Sequence, residues 1–337
     1  DNWGFTATPG PDGSFFGAGI VSQTGFPVSA GAYQGSGGGG GGSGPPPDIG
    51  IIKLSPNGQS RIYATYLGGN GFEQPHSLIC DPSGNLVIAG RTNSSNFPGN
   101  FIGTQSGGYD IFVAKLNANG TALIGSIRTG GSGNDGVNIT PNRDNGPRTL
   151  LRNYGDDGRS EVILDRNNNI LVASATQSAN FYTTGAFQNT FGGTQDGVVI
   201  KINPNCNTIV WSTYLGGSTD DAAFVLTENP VTGDIYVGGG TTSSDFPGTA
   251  AGVLQPAYNG GETDGFIANI RDNGTSVSMI RSSFLGTPGI DIVYGVQFDS
   301  KGFPYVMGTT TGNWPIQNAA YSVSGGKQFI AKLQPNL

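Results

Sequence analysis

Carboxylate side chains recur at corresponding places along the chain and are its most numerous reactive groups. One stands just before each of five apolar segments, at Asp1, Glu73, Asp157, Asp221 and Asp291. If these segments line a common axis, the carboxylates form a ring that could hold a hard cation such as Ca²⁺. Alternatively, each carboxylate accepts N–H bonds within its own turn. The repetition favours the turn interpretation, so no cofactor is expected, and Glu73, Asp157, Asp221 and Asp291 remain metal candidates in a Ca²⁺ interpretation.

A second set of acids, Asp48, Asp110, Asp196 and Asp264, opens another group of apolar segments. These residues are predicted to anchor turns or to accept hydrogen bonds between repeats. Glycoside hydrolysis would require two carboxyl groups roughly 5–10 Å apart. The adjacent pairs Asp156-Asp157 and Asp220-Asp221 are candidates, but adjacent acids are common in turns.

Nucleophilic and thiolate chemistry have little support. His76 is the only histidine, and no nucleophile motif lies near it, so a structural role is expected. Cys80 lies in an apolar strand pattern and Cys206 in a polar turn. The two cysteines are expected to be unpaired thiols, and no zinc site is expected.

The elements that position these residues repeat. The strand-like segment Asp110–Leu116 recurs from residues 196 and 264, and weaker copies begin at 48 and 327. Each unit has four strand signals, with Asn-Gly turns between alternating runs. With 59 Gly, 20 Pro and 12% charged residues, the composition also favours short strands and turns over helices.

The sequence therefore predicts an all-β chain that forms one five-bladed β-propeller of four-stranded antiparallel blades, about 19 strands in all. The last blade lacks its outer strand. A place within a six- or seven-bladed propeller is the alternative. The predicted blades span approximately residues 1–69, 70–131, 132–217, 218–287 and 288–337.

Aromatic residues occupy one repeated position, and we expect them to pack between blades, although a sugar-stacking platform is the alternative. They are Phe26, Phe97, Phe181, Phe246 and Trp314.

Several phrases recur in the same order in most units. They include Tyr66-Leu67-Gly68-Gly69, Asp81-Pro82-Ser83-Gly84-Asn85, Ser-Ser-x-Phe-Pro at 94–98 and 243–247, Gly-Ala-Tyr-Gln at 31–34 and the Asp-x-Phe-Val-x-Lys-Leu strands. Because of these phrases, the chain resembles the bacterial SBBP β-propeller repeat family over nearly its whole length. The resemblance implies a secreted or surface-anchored bacterial protein with adhesion or sorting modules and a repeat without a catalytic motif. The start at Asp1 suggests a mature or excised segment.

Two insertions break the period. Residues 35–47 are a Gly/Pro-rich run between the second and third strands of blade one, and residues 132–156 are predicted between blades two and three. Both insertions and all long loops are expected on one face, where binding usually resides. The last strand would leave an open edge for pairing with another chain. The interaction candidates are Arg143, Arg148, Arg152, Tyr154, Gly37, Gly40, Pro46, Phe329 and Ile330.

The net charge of −7 without a basic stripe argues against nucleic acid and anionic lipid as partners, and no segment is long and apolar enough to insert into a membrane. The expected role is a non-catalytic structural or adhesive module of a bacterial extracellular or cell-surface assembly. It would contact other subunits or domains through its long-loop face and open blade edge. The alternative is a glycan-binding propeller, and a third hypothesis is a hydrolase of extracellular polysaccharides.

Overall fold

The computed structural model describes residues 2–22, 25–38, 47–104, 107–138, 150–152 and 156–337. The described residues form an all-β structure of twenty strands in five sheets, with one 3₁₀ helix, η1, at Asp156–Gly158. Arg143, Arg148, Tyr154, Gly40 and Pro46, and the predicted ring residue Asp1, lie outside the described residues.

The basic pattern is four antiparallel strands paired in chain order, with short turns after the first and third strands and longer loops between the second and third. Sheet one contains β1 (Asn2–Pro9), β2 (Phe15–Val21), β3 (Asp48–Leu54) and β4 (Arg61–Leu67). Sheet three contains β10 (Glu161–Leu164), β11 (Ile170–Thr176), β12 (Asp196–Ile202) and β13 (Ile209–Leu215). Sheet four contains β14 (Asp221–Glu228), β15 (Ile235–Thr241), β16 (Asp264–Asp272) and β17 (Val277–Leu285).

Sheets two and five depart from the four-stranded pattern. Sheet two contains β5 (Glu73–Cys80), β6 (Leu86–Thr92), β7 (Asn100–Gly103), β8 (Asp110–Leu116) and β9 (Leu123–Gly130). The short strand β7 was not predicted, and it pairs in parallel with the outer strand β9. Sheet five has three strands, β18 (Asp291–Phe298), β19 (Pro304–Thr310) and β20 (Gln328–Lys332), so β20 is an edge, as predicted.

Local sequence explains the regular parts of the sheets. The predicted turns between the third and fourth strands place Gly58, Gly120 and Gly274 at positive φ values of 69°, 69° and 92°, where a side chain would be strained. The first strand of sheets one, two, four and five carries an irregularity near its middle, at Gly4/Thr6, Pro75/Ser77, Ala223/Val225 and Val293/Gly295. The same defect at the same position shows that the sheets are copies of one unit.

Four apolar clusters join the five sheets, each between one sheet and the next in the chain. Phe97, Phe181 and Phe246 are buried in three of these junctions, and Trp314 stacks on Phe329 at 3.6 Å in the fourth. Packing between sheets is therefore confirmed for these aromatics. Phe26, in contrast, lies on the face of sheet one that no other sheet covers among the described residues. Strands of sheets one and five have no extensive contact with each other within the same residues.

Candidate functional site at the sheet junctions

Three of the predicted ring acids begin the first strand of their sheets and are fully buried. Glu73 accepts a hydrogen bond from Thr92 Oγ1 at 2.6 Å, and Asp221 accepts one from Ser243 Oγ at 2.9 Å. Glu73, Asp221 and Asp291 each also accept one from the backbone N–H four residues earlier, and these donors are Gly69 (3.2 Å), Gly217 (2.7 Å) and Thr287 (2.6 Å). The turn interpretation is thus confirmed for these three residues.

Asp157 is not the fourth member of this set, which corrects the sequence prediction. Asp135 pairs with Thr176 as Glu73 pairs with Thr92, and its carboxylate accepts a 2.8 Å hydrogen bond from Gly131 N–H. The insertion therefore begins after Asp135 and interrupts the first strand of sheet three, instead of preceding it. The signal was present in the sequence, because Gly131 stands four residues before Asp135 as Gly69 stands before Glu73.

Three of the four acids that open the third strands anchor the long loops, as predicted. Asp48 accepts a hydrogen bond from Gly38 N–H at 2.6 Å, and Asp264 accepts one from Asn259 N–H at 2.7 Å. Asp196 accepts hydrogen bonds from Gly192 N–H at 2.9 Å and Gly193 N–H at 3.3 Å.

Each third-strand acid also lies beside the first-strand acid of the next sheet, with a glycine between them. A Cβ atom on Gly216 would lie 2.7 Å from Asp196 Oδ1 and 2.8 Å from Asp221 Oδ2. Gly68 and Gly130 separate the pairs Asp48–Glu73 and Asp110–Asp135 in the same way. The Leu-Gly-Gly phrase that ends the fourth strand therefore keeps a side chain out of the space between two carboxylates.

Burial raises the pKa of these paired acids far above the ordinary range. The pKa is about 7 for Glu73, about 8 for Asp221 and about 7 for Asp264. It is about 6 for Asp110, Asp135 and Asp196. Donated hydrogen bonds oppose the shift, whereas the neighbouring carboxylate adds to it at Asp110, Asp221 and Asp264. Glu73, Asp221 and Asp264 therefore hold protons near neutral pH, whereas Asp110, Asp135 and Asp196 hold them only in mildly acidic solution. No group of three or more His, Cys, Asp or Glu side chains suited to a metal ion occurs among the described residues.

His76 belongs to a small polar cluster in which a Ser-His arrangement does occur. Its Nδ1 lies 2.9 Å from Ser160 Oγ, which lies 2.7 Å from Ser174 Oγ. Burial, followed by the charge of Arg91, holds the pKa of His76 well below its usual value, so the ring is neutral. Its Nε2 is buried and has no hydrogen-bond partner in the described part of the chain. Among the described residues, no third side chain is hydrogen-bonded to the ring, so they do not complete a triad.

The insertion in sheet three binds the inner strands of other sheets. Arg91 of sheet two lies 3.6 Å from the Asp157 carboxylate and donates to its backbone oxygen at 3.1 Å. The Tyr294 hydroxyl of sheet five donates to Asp156 Oδ2 at 2.8 Å. Leu150 is fully buried in the junction between sheets four and five. The insertion therefore fastens sheets that are not neighbours in the chain.

The described interaction candidates have different surroundings. Arg152 is exposed, and its backbone N–H donates to Asp156 at 2.8 Å. Gly37 is exposed at the start of the glycine run, where a Cβ atom would lie 2.6 Å from Asp48 Oδ2. Ile330 is 78% exposed, whereas Phe329 is buried between sheets four and five. The alternation along β20 turns the Phe329 side chain into the junction, so only its main chain is left for the predicted pairing at the edge of sheet five.

Large apolar side chains are exposed on the long loops between second and third strands. Sequence reasoning did not single them out as interaction residues, although the predicted long-loop face contains them. They are Leu254, Ile316, Tyr321 and Val323.

The two cysteines are free thiols, as predicted, with Cys206 buried in the junction between sheets two and three. Among the described residues, no helix is long and apolar enough to cross a membrane.

No family model and no curated protein matches this chain. A Dyadobacter fermentans protein of unknown function is similar in structure, with a TM-score of 0.45 and 13% identity over 93% of this chain and 76% of that one. The β-xylosidase RS223 has a TM-score of 0.36 and 9% identity over 92% and 87% of the two chains. A putative 6-phosphogluconolactonase from Bacteroides fragilis has a TM-score of 0.34 and 9% identity over 98% and 83%.

Proposed function

We propose that the chain is a non-catalytic structural or adhesive module, built from consecutive blades of a propeller of the SBBP type. Five consecutive blades belong to the proposal, and within the described residues the first and the last of them do not pack extensively on each other. An extracellular or cell-surface location and attachment to other protein subunits belong to the same proposal.

The observation that carries the proposal is the division between buried acids and exposed apolar groups. The repeated carboxylates are occupied with hydrogen bonds inside the junctions, where they stabilise turns. Meanwhile Leu254, Ile316, Tyr321 and Val323 project from the long loops, with exposures between 56% and 82%. Exposed apolar groups that share one set of loops are typical of a contact surface. The free edge of β20 adds main-chain hydrogen-bonding groups at sheet five.

Retention on immobilised polymers tests this role, with collagen as the protein surface and cellulose and chitin as the polysaccharides. We expect retention on collagen without release of soluble sugar from the polysaccharides. Leu254→Ser should weaken retention several-fold. Val231→Ser is the matched control, because Val231 is similarly exposed at 59% but lies in a short turn outside the long loops.

Three results would count against the proposal. Release of soluble sugar would indicate the hydrolase. Retention on a polysaccharide alone, weakened by Leu254→Ser, would indicate the glycan-binding alternative. Failure to be retained on any of the three surfaces would contradict an adhesive role.

A further inference from the structure

Sheets one and five each have one face outside the four junctions. We name the uncovered face of sheet one the leading face, which contains Phe15, Gly17, Gly19, Gly50 and Ile52, and the uncovered face of sheet five the trailing face, which contains Tyr305, Met307 and Ile330. Met307 is 54% exposed and Ile330 is 78% exposed. They form a cross-strand pair, so they lie side by side on the trailing face.

Equivalent positions in the inner sheets show what these faces normally contact. The pairs Ala89–Val113 and Ala173–Val199 have the register of Met307–Ile330, and all four residues are buried against the next sheet. In the same way, the positions equivalent to Gly17 face the preceding sheet. They are Ile88, Val172, Val237 and Val306, and each is at most 1% exposed. Every inner junction therefore joins a trailing face to a leading face.

At the two uncovered faces, the placement of large and small side chains is the opposite of that in the inner junctions. Inside the array, small trailing residues such as Ala89 and Ala173 meet bulky leading residues such as Val172 and Phe266. On the uncovered leading face, glycines at 17, 19 and 50 leave a shallow hollow of about 510 Å³, bordered by Phe26 and Ile52. On the uncovered trailing face, Met307 stands where sheets one to three have Ala18, Ala89 and Ala173 and sheet four has Gly238, whereas Tyr305 stands where sheet four also has a tyrosine. Bulky groups on one face thus match a hollow on the other.

We propose that the trailing face of one copy of this chain docks on the leading face of a second copy, so that copies associate head to tail. The inference rests on the proposed role as a module of an assembly and names its partner. Within the described residues, strands of sheets one and five make no extensive contact, so the two faces of one molecule do not cover each other and both are open to a second copy. Because the two faces differ, the contact is heterologous and does not stop at a dimer.

Reciprocal blocking tests the proposal with the whole chain. Met307→Asp blocks the trailing face, and Gly17→Asp blocks the leading face, where a Cβ atom has room because its nearest neighbour is Ile52 Cγ2 at 3.6 Å. Light scattering after size exclusion should show that the unmodified chain exceeds 34.6 kDa increasingly with concentration. Each variant alone should remain at 34.6 kDa, and an equimolar mixture should form a species of twice 34.6 kDa and nothing larger. Ile330→Asp and Ile52→Asp repeat the test if either first variant lacks the β-sheet circular dichroism of the unmodified chain.

Each contrary result has a distinct meaning. An unmodified chain that remains monomeric at every concentration overturns docking between copies, while the polymer-retention assay still judges the adhesive role separately. Association of a single variant to the same extent as the unmodified chain shows that another surface is responsible. A mixture that remains monomeric also overturns the head-to-tail contact.

Discussion

Glu73, Asp221 and Asp264 retain protons at pH values where exposed carboxyl groups are ionised. Their side chains are taken out of water at the junctions, and in each pair a second carboxyl group lies next to them. Two like charges so close together in a buried site disfavour ionisation of both. Position and backbone N–H donors explain why acids recur there.

Thermal stability should therefore fall as the pH rises from 5 to 8. In the unfolded chain these carboxyl groups have pKa values near 4. In the folded chain the pKa is about 7 for Glu73, about 8 for Asp221 and about 7 for Asp264. Between those limits the folded state binds more protons than the unfolded state, so the free energy of unfolding decreases with rising pH. We expect Tm at pH 8 to be lower by at least about 3 °C than at pH 5, measured by calorimetry.

Asp221→Asn should flatten this pH dependence, because the amide oxygen still accepts the Gly217 N–H bond but the side chain does not ionise. Asp245→Asn is the control. Hydrogen bonds from Ser218 lower the pKa of Asp245, so it does not titrate in this window. A Tm that rises with pH, or equal slopes for both variants, would contradict protonated pairs.

Two buried tyrosine hydroxyl groups should contribute differently to the free energy of unfolding. Tyr294 donates to Asp156, whereas Tyr63 has a buried hydroxyl without a hydrogen-bond partner among the described residues. Tyr294→Phe should lower the free energy of unfolding by about 1–3 kcal/mol, because a buried carboxylate loses a donor. Tyr63→Phe should be neutral or slightly stabilising, because it removes a polar group that is already unpaired. Urea denaturation measures both, and equal losses would contradict a structural role for the Tyr294 bond.

At the scale of the element, the sequence carried most of the information about the strands. Alternating apolar residues and Asn-Gly turns predicted the third and fourth strands, because short-range patterns set their register. Two features depended on distant contacts and were missed. Strand β7 is polar at its start and forms only by pairing with β9. The first strand of sheet three is divided by an insertion, so the short segment after the insertion hid the role of Asp135.

The residues of the candidate site could be predicted from the sequence, but the contacts between them could not. Repetition identified Glu73, Asp221 and Asp291 and the third-strand acids as turn residues, and the structure agrees. The first-strand acids and the third-strand acids meet at one glycine because of the way one sheet packs on the next. No local sequence pattern predicts this packing.

The repeated aromatic residue offers a comparison between a covered and an uncovered junction. Phe246 is 1% exposed between sheets three and four, with its ring centroid 4.3 Å from that of Phe266. Phe26 occupies the same position on the uncovered leading face. Phe246→Ala should cost about 3–5 kcal/mol of unfolding free energy, as other buried Phe→Ala changes do. Phe26→Ala should cost less, roughly 1–2 kcal/mol in the monomer, because its ring is only partly buried.

Urea denaturation of dilute protein, where copies are separate, gives both values. At high concentration the cost of Phe26→Ala should increase, because docking of a second copy would cover the ring. Equal costs for the two substitutions at low concentration would contradict the assignment of Phe26 to an uncovered face.

At the scale of the whole molecule, stability is distributed along a row of sheets in which each sheet mainly contacts its neighbours. Such arrays gain stability from every added interface, and their terminal units are usually capped by polar surfaces. Here the terminal faces are apolar, with Phe15 48% exposed on sheet one and Ile330 78% exposed on sheet five.

Docking of further sheets should therefore stabilise the terminal sheets before the middle ones. Hydrogen exchange at low and high protein concentration separates these regions. We expect protection of the β2 and β19 amides to increase with concentration, while that of β12 in the middle of the array stays constant. A uniform response across all five sheets would show that association does not occur at the two ends.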